Sequence, residues 1–339
     1  MNEPITILSL VSFSDEHLDK LRAVSPQVEV HQHTAAHFDD LPPDLPPKVQ
    51  ILYGWGKYLA EAHRFPRLRW IQTHSAGVDA LLDKPVWQSD VLITSMNGIH
   101  AVPMAEHALA LMLAFRWNLR RMFNLQTRAE WPKDRWALFA RPELRGSTLG
   151  IVGYGAIGRE LARQADALGM RVLATNRTGE RRFYQGYSVP GTGDPAARIP
   201  EQIYPTARLV EMLTRCDYVV VVAPLTPETR GLFGLKAFAA MKESAVFINL
   251  GRGKLVDEAA LVEALQKGYI AGAGLDVFQT EPLPPDSPLW QMDNVIISPH
   301  VSGFTPLYDE RASDLFAENL RRFLAGRPMI NLVQRERGY

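Results

Sequence analysis

Three residues carry side chains that could cooperate in a single reaction, namely Arg252 in LGRGK, Glu281 in QTEP and His300 in SPHVSG. An imidazole ionises near working pH and can give a proton to a carbonyl oxygen. A carboxylate beside it favours and orients the charged form. A guanidinium can hold the carbonyl and carboxylate oxygens of a 2-oxo acid. The set suits reduction of a carbonyl next to a carboxylate, given a hydride from elsewhere. Each residue also has an ordinary reading. Arg252 between two glycines could be a solvated turn residue, Glu281 before Pro282 a loop end, and His300 after Pro299 a structural histidine. Only their convergence would set those readings aside.

The hydride source is suggested by GIVGYGAIGRE. Gly153, Gly155 and Gly158, with Ala156 and Ile157 between them, follow an apolar run and open a helical one. Such glycines permit a tight turn and let a pyrophosphate approach backbone N–H groups at a helix start. The fingerprint alone is weak; the strand, turn, helix and second strand around it give it weight. That second strand, RVLAT, ends at Asn176-Arg177-Thr178. An NAD site usually places an acid here for the ribose hydroxyls. A neutral amide, a cation and a hydroxyl favour a ribose phosphate instead. NADP(H) is therefore the expected cofactor, with NAD(H) left open.

The elements that must position these residues read as two lobes. Strand-like runs at 148–152, 171–175, 218–222, 245–249, 271–275 and 294–298 predict a Rossmann sheet of six parallel strands. Gly153, Asn176, Ala223, Arg252, Asp276 and His300 each stand just beyond the carboxyl end of one of these strands. In an open parallel sheet those ends share one edge, where ligands bind. The Gly- and Pro-rich stretch 178–206 reads as an excursion over the surface. A helix from Val102 to about Arg120, apolar on nearly every face, should be buried, and the Arg- and Trp-rich 116–146 should be an interface arm. The first hundred residues alternate strands (5–11, 28–30, 49–53, 69–72, 91–94) with short helices, one capped by Ser14 and carrying Leu18 and Leu21. They form a smaller doubly wound lobe.

A chain of 339 residues fits two domains. Lys+Arg and Asp+Glu are both 37, which gives no long-range pull toward nucleic acid or an anionic membrane. The single cysteine, Cys216, allows no intrachain disulfide and reads as a core residue. With no signal-peptide pattern and no long apolar run, the expected location is cytoplasmic. His31, His33 and His37 read as surface histidines rather than a metal site, Glu106-His107 as a packed hydrogen-bonded pair, and His74 as a possible pocket wall.

The segments VPMAEHALALMLA, LGIVGYGAIGRELA, APLTPETRGLF, FINLGRGKLVDEAALVEAL, AGAGLDVFQTEPLPPDSPLW and NVIISPHVSG resemble the D-isomer-specific 2-hydroxyacid dehydrogenase family, in family order and over most of 97–303. PRLRWIQTHSAGVDALL and ENLRRFLAGRPMINLV match as well; residues 1–60 and 178–206 lack a clear counterpart. The resemblance implies an α/β enzyme of two doubly wound parallel-sheet lobes: a Rossmann cofactor domain (99–303) and a smaller, discontinuous flavodoxin-like substrate domain (1–98 plus 304–339). It implies Arg252, Glu281 and His300 as the catalytic set. Asp276 would touch the carboxamide, and Met104, Leu250, Gly251 and Gly303 would lie near the nicotinamide end. Ala223-Pro224 with Thr229 would lie beneath the adenosine. Ser75-Ala76-Gly77 would hold the substrate carboxylate, with Trp55 shaping the pocket. Small 2-oxo acids such as glyoxylate or hydroxypyruvate, a D-hydroxy acid product and a homodimer are further implications. A nicotinamide-sensing, corepressor-like binding protein of the same fold is the alternative. HVSG departs from the commoner His-x-Gly-Gly, which bears on packing near the nicotinamide.

Overall fold

The computed structural model describes residues 3–34 and 37–338. The chain divides into two compact units. Unit 1 draws on residues 1–99, 185–187 and 305–339, and unit 2 on 100–184 and 188–304.

Unit 1 opens with β1 (Ile5–Ser9), α1 (Asp15–Arg22), β2 (Val28–Gln32), β3 (Val49–Gly54), β4 (Trp70–Thr73) and β5 (Leu92–Thr94). The strands form one parallel sheet in the order β2-β1-β3-β4-β5, the doubly wound order of flavodoxin-like folds. Both faces are covered. Ile7 joins one core cluster with Tyr53 and Trp70, while its neighbour Leu8 joins the opposite one with Leu52 and Ile71, as period-two side chains must. Ser14 stands at the N-cap of α1, but its hydroxyl bonds His17 Nδ1 at 2.7 Å and makes no cap bond to the helix backbone.

Unit 2 begins with α2 (Ala101–Trp117), α3 (Leu119–Thr127) and α4 (Arg135–Phe139). The single helix expected over 102–120 is thus broken: Asn118 adopts a left-handed conformation (φ 51°) and ends α2. Nor is α2 buried all round. Ala105, Ala108, Leu111 and Met112 pack into the core, whereas Leu113 and Trp117 are exposed. The chain continues through β6 (Thr148–Val152), α5 (Ala156–Ala167), β7 (Arg171–Asn176), β8 (Gln202–Pro205), α6 (Leu209–Leu213), β9 (Tyr218–Val221), α7 (Leu235–Ala239), β10 (Val246–Asn249), α8 (Glu258–Gln266), β11 (Gly272–Leu275) and β12 (Val295–Ile297). Asp257 caps α8, its Oδ1 accepting from the Ala260 N–H at 3.2 Å. Cys216 is buried, with Sγ 3.1 Å from the Met212 carbonyl.

The sheet has seven parallel strands, not six, in the order β12-β11-β10-β9-β6-β7-β8. The added strand, β8, lies in the stretch expected to wander over the surface, and it pairs with β7 from Leu173↔Gln202 to Asn176↔Pro205. The rest of that stretch is irregular and mostly exposed or half-buried, as a surface excursion should be, but it is anchored at points. The buried Arg159 guanidinium donates to the carbonyls of Asp194 and Arg182 at 2.5 and 2.8 Å, and the Tyr154 hydroxyl donates to Asp194 Oδ2 at 2.7 Å. Ala197, Ile203 and Tyr204 are buried. Backbone groups that find such partners have no need of solvent.

The chain returns to unit 1 with α9 (Tyr308–Leu324). Phe316 stacks on Tyr53 (ring centroids 4.8 Å apart), and the buried Asn319 amide donates to Gln72 Oε1 at 3.1 Å. Among the described residues, no helix is long and apolar enough to cross a membrane, and no group of three or more His, Cys, Asp or Glu could hold a metal ion.

Candidate active site

One register row crosses most of the unit 2 sheet: Thr175↔Val152↔Val221↔Asn249↔Leu275↔Ile297. Gly153, Asn176, Ala223, Arg252, Asp276 and His300 stand one to three positions beyond that row, so these distant stretches of sequence share one edge. The strand order reverses between β6 and β9, the switch point where open α/β sheets form a crevice.

His300 Nδ1 and Glu281 Oε2 are 2.7 Å apart. A carboxylate only accepts, so Nδ1 donates and Nε2 is left as the nitrogen for proton exchange with a substrate. Glu281 is itself held, because its Oε1 accepts from the Phe278 N–H at 3.0 Å. The His300 side chain is 52% exposed, so the pair contributes little to stability and its geometry points to chemistry. Arg252 follows β10 in a turn tied by Asn249, whose Oδ1 accepts from the Gly251 N–H and whose Nδ2 donates to the Arg252 carbonyl, both at 3.1 Å. Gly253 is demanded by close approach: a Cβ there would lie 1.9 Å from the Phe278 carbonyl. The arginine turn and the glutamate loop therefore rest backbone against backbone.

Asp276 is fully buried. Its Oδ1 accepts from Ser298 Oγ at 2.6 Å and from the Val301 N–H at 2.9 Å, and its Oδ2 accepts from the Ser302 N–H at 3.0 Å. Three of about four acceptor positions are thus used on the loop that carries His300. His300 has φ 56°, in the left-handed region. That conformation costs a residue with a Cβ about 1 kcal/mol, which the surrounding bonds must offset.

A dinucleotide fits the turn after β6. Gly153 has φ 104°, and a Cβ there would fall 2.7 Å from the backbone of Ala223. Gly155 is different: a Cβ there would meet nothing within 4 Å, so open space adjoins the turn where α5 begins with Ala156, Ile157 and Gly158. That is the cradle a pyrophosphate needs at a helix start. Asn176 folds its side chain into its own turn: Oδ1 accepts from the N–H groups of Thr178 and Gly179 at 3.1 and 2.6 Å, and Nδ2 donates to the Glu180 carbonyl at 2.8 Å. Arg177 and Thr178 are left exposed. After β9, Thr229 Oγ1 donates to the Pro224 carbonyl and accepts from the Thr226 N–H, both at 2.8 Å, closing the turn behind the buried Ala223. Leu250 is buried, Met104 is half-buried on α2, and Gly303 abuts the His100 ring.

Trp55 and Ser75-Ala76-Gly77 belong to unit 1. The Ser75 hydroxyl donates to the Gly77 carbonyl and the Thr73 hydroxyl to the Ser75 carbonyl, both at 2.7 Å, so the loop after β4 is braced from within. His74 is buried. Its Nδ1 bonds the Tyr53 hydroxyl, its carbonyl accepts from Tyr308 Oη at 2.5 Å, and Trp55 meets its ring edge-on at 4.4 Å. Burial also pushes the Tyr53 hydroxyl well above the usual phenol range. Glu106-His107 is no bonded pair. His107 Nε2 lies 3.1 Å from Ser298 Oγ while Glu106 is exposed, because adjacent helical residues point apart. Ser298 and His107 both lie inside matched segments, SPHVSG and VPMAEHALALMLA, but nothing in the sequence predicts their contact.

Residues 109–302 match the family description "D-isomer specific 2-hydroxyacid dehydrogenase, NAD binding domain". A glyoxylate reductase of Korarchaeum cryptofilum is 33% identical over 273 residues, spanning 80% of this chain and 77% of that protein. The crystal structure of a D-isomer specific 2-hydroxyacid dehydrogenase from Xanthobacter autotrophicus Py2, in complex with NADPH and MES, shares 31% identity and covers 100% of both chains with a TM-score of 0.80. An NADPH-dependent glyoxylate/hydroxypyruvate reductase from Sinorhizobium meliloti, in complex with NADP and sulfate, shares 29% identity and covers 99% of this chain and 100% of its own, with a TM-score of 0.79. The parallel sheets, the glycine turn and these similarities agree: the chain belongs to the D-isomer specific 2-hydroxyacid dehydrogenase family and is an NAD(P)-dependent enzyme.

Proposed function

We propose that the enzyme reduces a small 2-oxo acid, glyoxylate or hydroxypyruvate, to the D-2-hydroxy acid with NADPH, and that His300 supplies the proton. The observation that carries this reading is the His300–Glu281 bond of 2.7 Å on the same sheet edge as the dinucleotide turn. The names of the similar reductases support the substrate class, and the NADPH and NADP in two related structures support the cofactor.

In the proposed mechanism Arg252 of unit 2 binds the carboxylate and carbonyl oxygens. In unit 1, the backbone N–H groups of Ser75, Ala76 and Gly77 are the proposed carboxylate donors. Trp55 bounds the side-chain pocket. Unit 2 holds the dinucleotide through Gly153 to Gly158, Asn176 to Thr178, Ala223, Pro224 and Thr229. Met104, Leu250, Gly251 and Gly303 border its nicotinamide end, and Asp276 offers its remaining acceptor position to the carboxamide. When bound, NADPH supplies a hydride to the carbonyl carbon. His300 Nε2 gives its proton to the carbonyl oxygen, and Glu281 stabilises the imidazolium before that transfer. Reduction therefore consumes one proton, which His300 delivers.

A homodimer in the cytoplasm completes the proposal. The exposed aromatics of the α2–α4 region support the dimer, and the single cysteine is compatible with a reducing compartment.

The test is a 2-oxo acid panel run with NADPH and with NADH. Turnover of glyoxylate or hydroxypyruvate with NADPH is expected, and His300→Ala should lower kcat/KM by about 10²–10⁴-fold. Cofactor binding without turnover on any acid would replace the enzyme reading with a nicotinamide sensor.

A further inference from the structure

We propose that His107 and Ser298, acting through Asp276, are positioning residues for proton transfer: a half-buried hydrogen-bonded chain, ending on a fully buried carboxylate, that fixes the backbone of His300. The inference rests on the reading of His300 as the proton donor and extends it to two residues outside that site.

Counting protons fixes the direction of the chain. The Ser298 hydroxyl has one hydrogen, and the carboxylate oxygen 2.6 Å away can only accept it. Ser298 Oγ must then accept from His107 Nε2 at 3.1 Å, so His107 carries its proton on Nε2. The order is His107 Nε2–H to Ser298 Oγ–H to Asp276 Oδ1. Asp276 in turn receives the N–H groups of Val301 and Ser302.

The placement of these bonds matters more than their number. Ser298 lies two residues before His300, and Val301 and Ser302 follow it. One fully buried carboxylate therefore grips the chain on both sides of the left-handed residue. The Glu281 bond orients the imidazole ring, while the Asp276 bonds set where its backbone starts. His107 sits on α2, 191 positions from Ser298 in sequence, and so fastens this loop to a helix packed into the unit 2 core. Without the Ser298 hydroxyl, Asp276 loses a strong short bond and His107 faces an apolar group. The loop can then relax from the strained φ, and Nε2 moves off line.

The test compares Ser298→Ala, Ser298→Thr and His107→Gln in the full-length enzyme. It measures kcat, KM for NADPH, KM for the 2-oxo acid, and amide exchange of the 298–303 peptide. Ser298→Ala should lower kcat about 10-fold with KM for NADPH within about two-fold. Ser298→Thr, which keeps the hydroxyl, should restore kcat to within about two-fold, and His107→Gln should fall between them. Exchange at 298–303 should quicken in Ser298→Ala but not in Ser298→Thr. An unchanged kcat and unchanged exchange in Ser298→Ala would overturn the proposal. So would equal losses in the alanine and threonine variants, the pattern of a merely structural site. If wild type turns over no 2-oxo acid, or His300→Ala retains its rate, the reading of His300 fails. The exchange comparison then still decides whether the clamp exists, and a misfolded Ser298→Ala leaves His107→Gln to decide it.

Discussion

Arg177 stands exposed beyond β7 because Asn176 beside it spends its amide on the turn itself. The amide thus fixes the turn that presents the guanidinium. The neighbouring acid, Glu180, is paired with Arg182 (Nε 3.0 Å from Oε2), and that partner holds its carboxyl below the usual range. A ribose phosphate would meet Arg177 with Glu180 already engaged by Arg182, and would compete with Glu228, whose carboxyl the Arg177 charge helps to lower. Arg177→Ala should cut kcat/KM with NADPH about 10–100-fold and leave NADH within about three-fold, as expected for a lost charge-assisted bond. Equal losses with both cofactors would show that Arg177 does not read the phosphate. At this scale the short motifs were legible: glycine turn, Gly-Arg-Gly, Glu-Pro and Pro-His each announce themselves within a few residues. Ser298 and His107 did not, because their contact exists only once a helix and a strand end from distant sequence are packed together.

The segment between β7 and α6 shows what pattern reading misses. Its glycines and prolines suggested solvent, and residues 178–193 are exposed or half-buried, but Asp194 ties the end of the segment into the core. Burial pushes the Asp194 carboxyl upward, but the Ile199 N–H, the Tyr154 hydroxyl, the Arg198 N–H and the Arg159 charge together hold it below its ordinary range. A carboxyl lowered on folding adds stability above its unfolded pKa of about 3.9, and that stability is lost as pH falls through the folded value. Asp194→Asn should therefore lower Tm at pH 7 by about 4 °C, for a loss of roughly 1–2 kcal/mol. The gap between the two proteins should narrow as pH falls below that unfolded value; a gap that widens in acid would contradict the assignment. The parallel sheets themselves were legible, since buried strands separated by helical runs admit few other folds. β8 was not, because four residues ending in proline carry too little pattern. The break after α2 was hidden because an asparagine, not a glycine or proline, takes the left-handed position.

The whole molecule leaves aromatic surface in water. Trp131 and Trp136 are 85% and 83% exposed, and Phe123 is 60% exposed, all within the stretch after α2. Large aromatic side chains this exposed mark interaction surfaces when they adjoin. Light scattering should give a mass near twice the 38.0 kDa of the chain, and a Trp131→Ser, Trp136→Ser double variant should shift it toward the monomer. A monomeric wild type at micromolar concentration would remove the dimer.

Unit 1 is assembled from both ends of the chain, and this orders events during synthesis. Its sheet is complete by Thr94, yet Trp70 and Tyr53 cannot bury their rings until Phe316 emerges more than two hundred residues later. A nascent chain must carry an unfinished apolar face while the whole of unit 2 is translated, an interval of roughly 10–40 s at typical elongation rates. Chains stalled or cut before α9 should be the ones that chaperones retain.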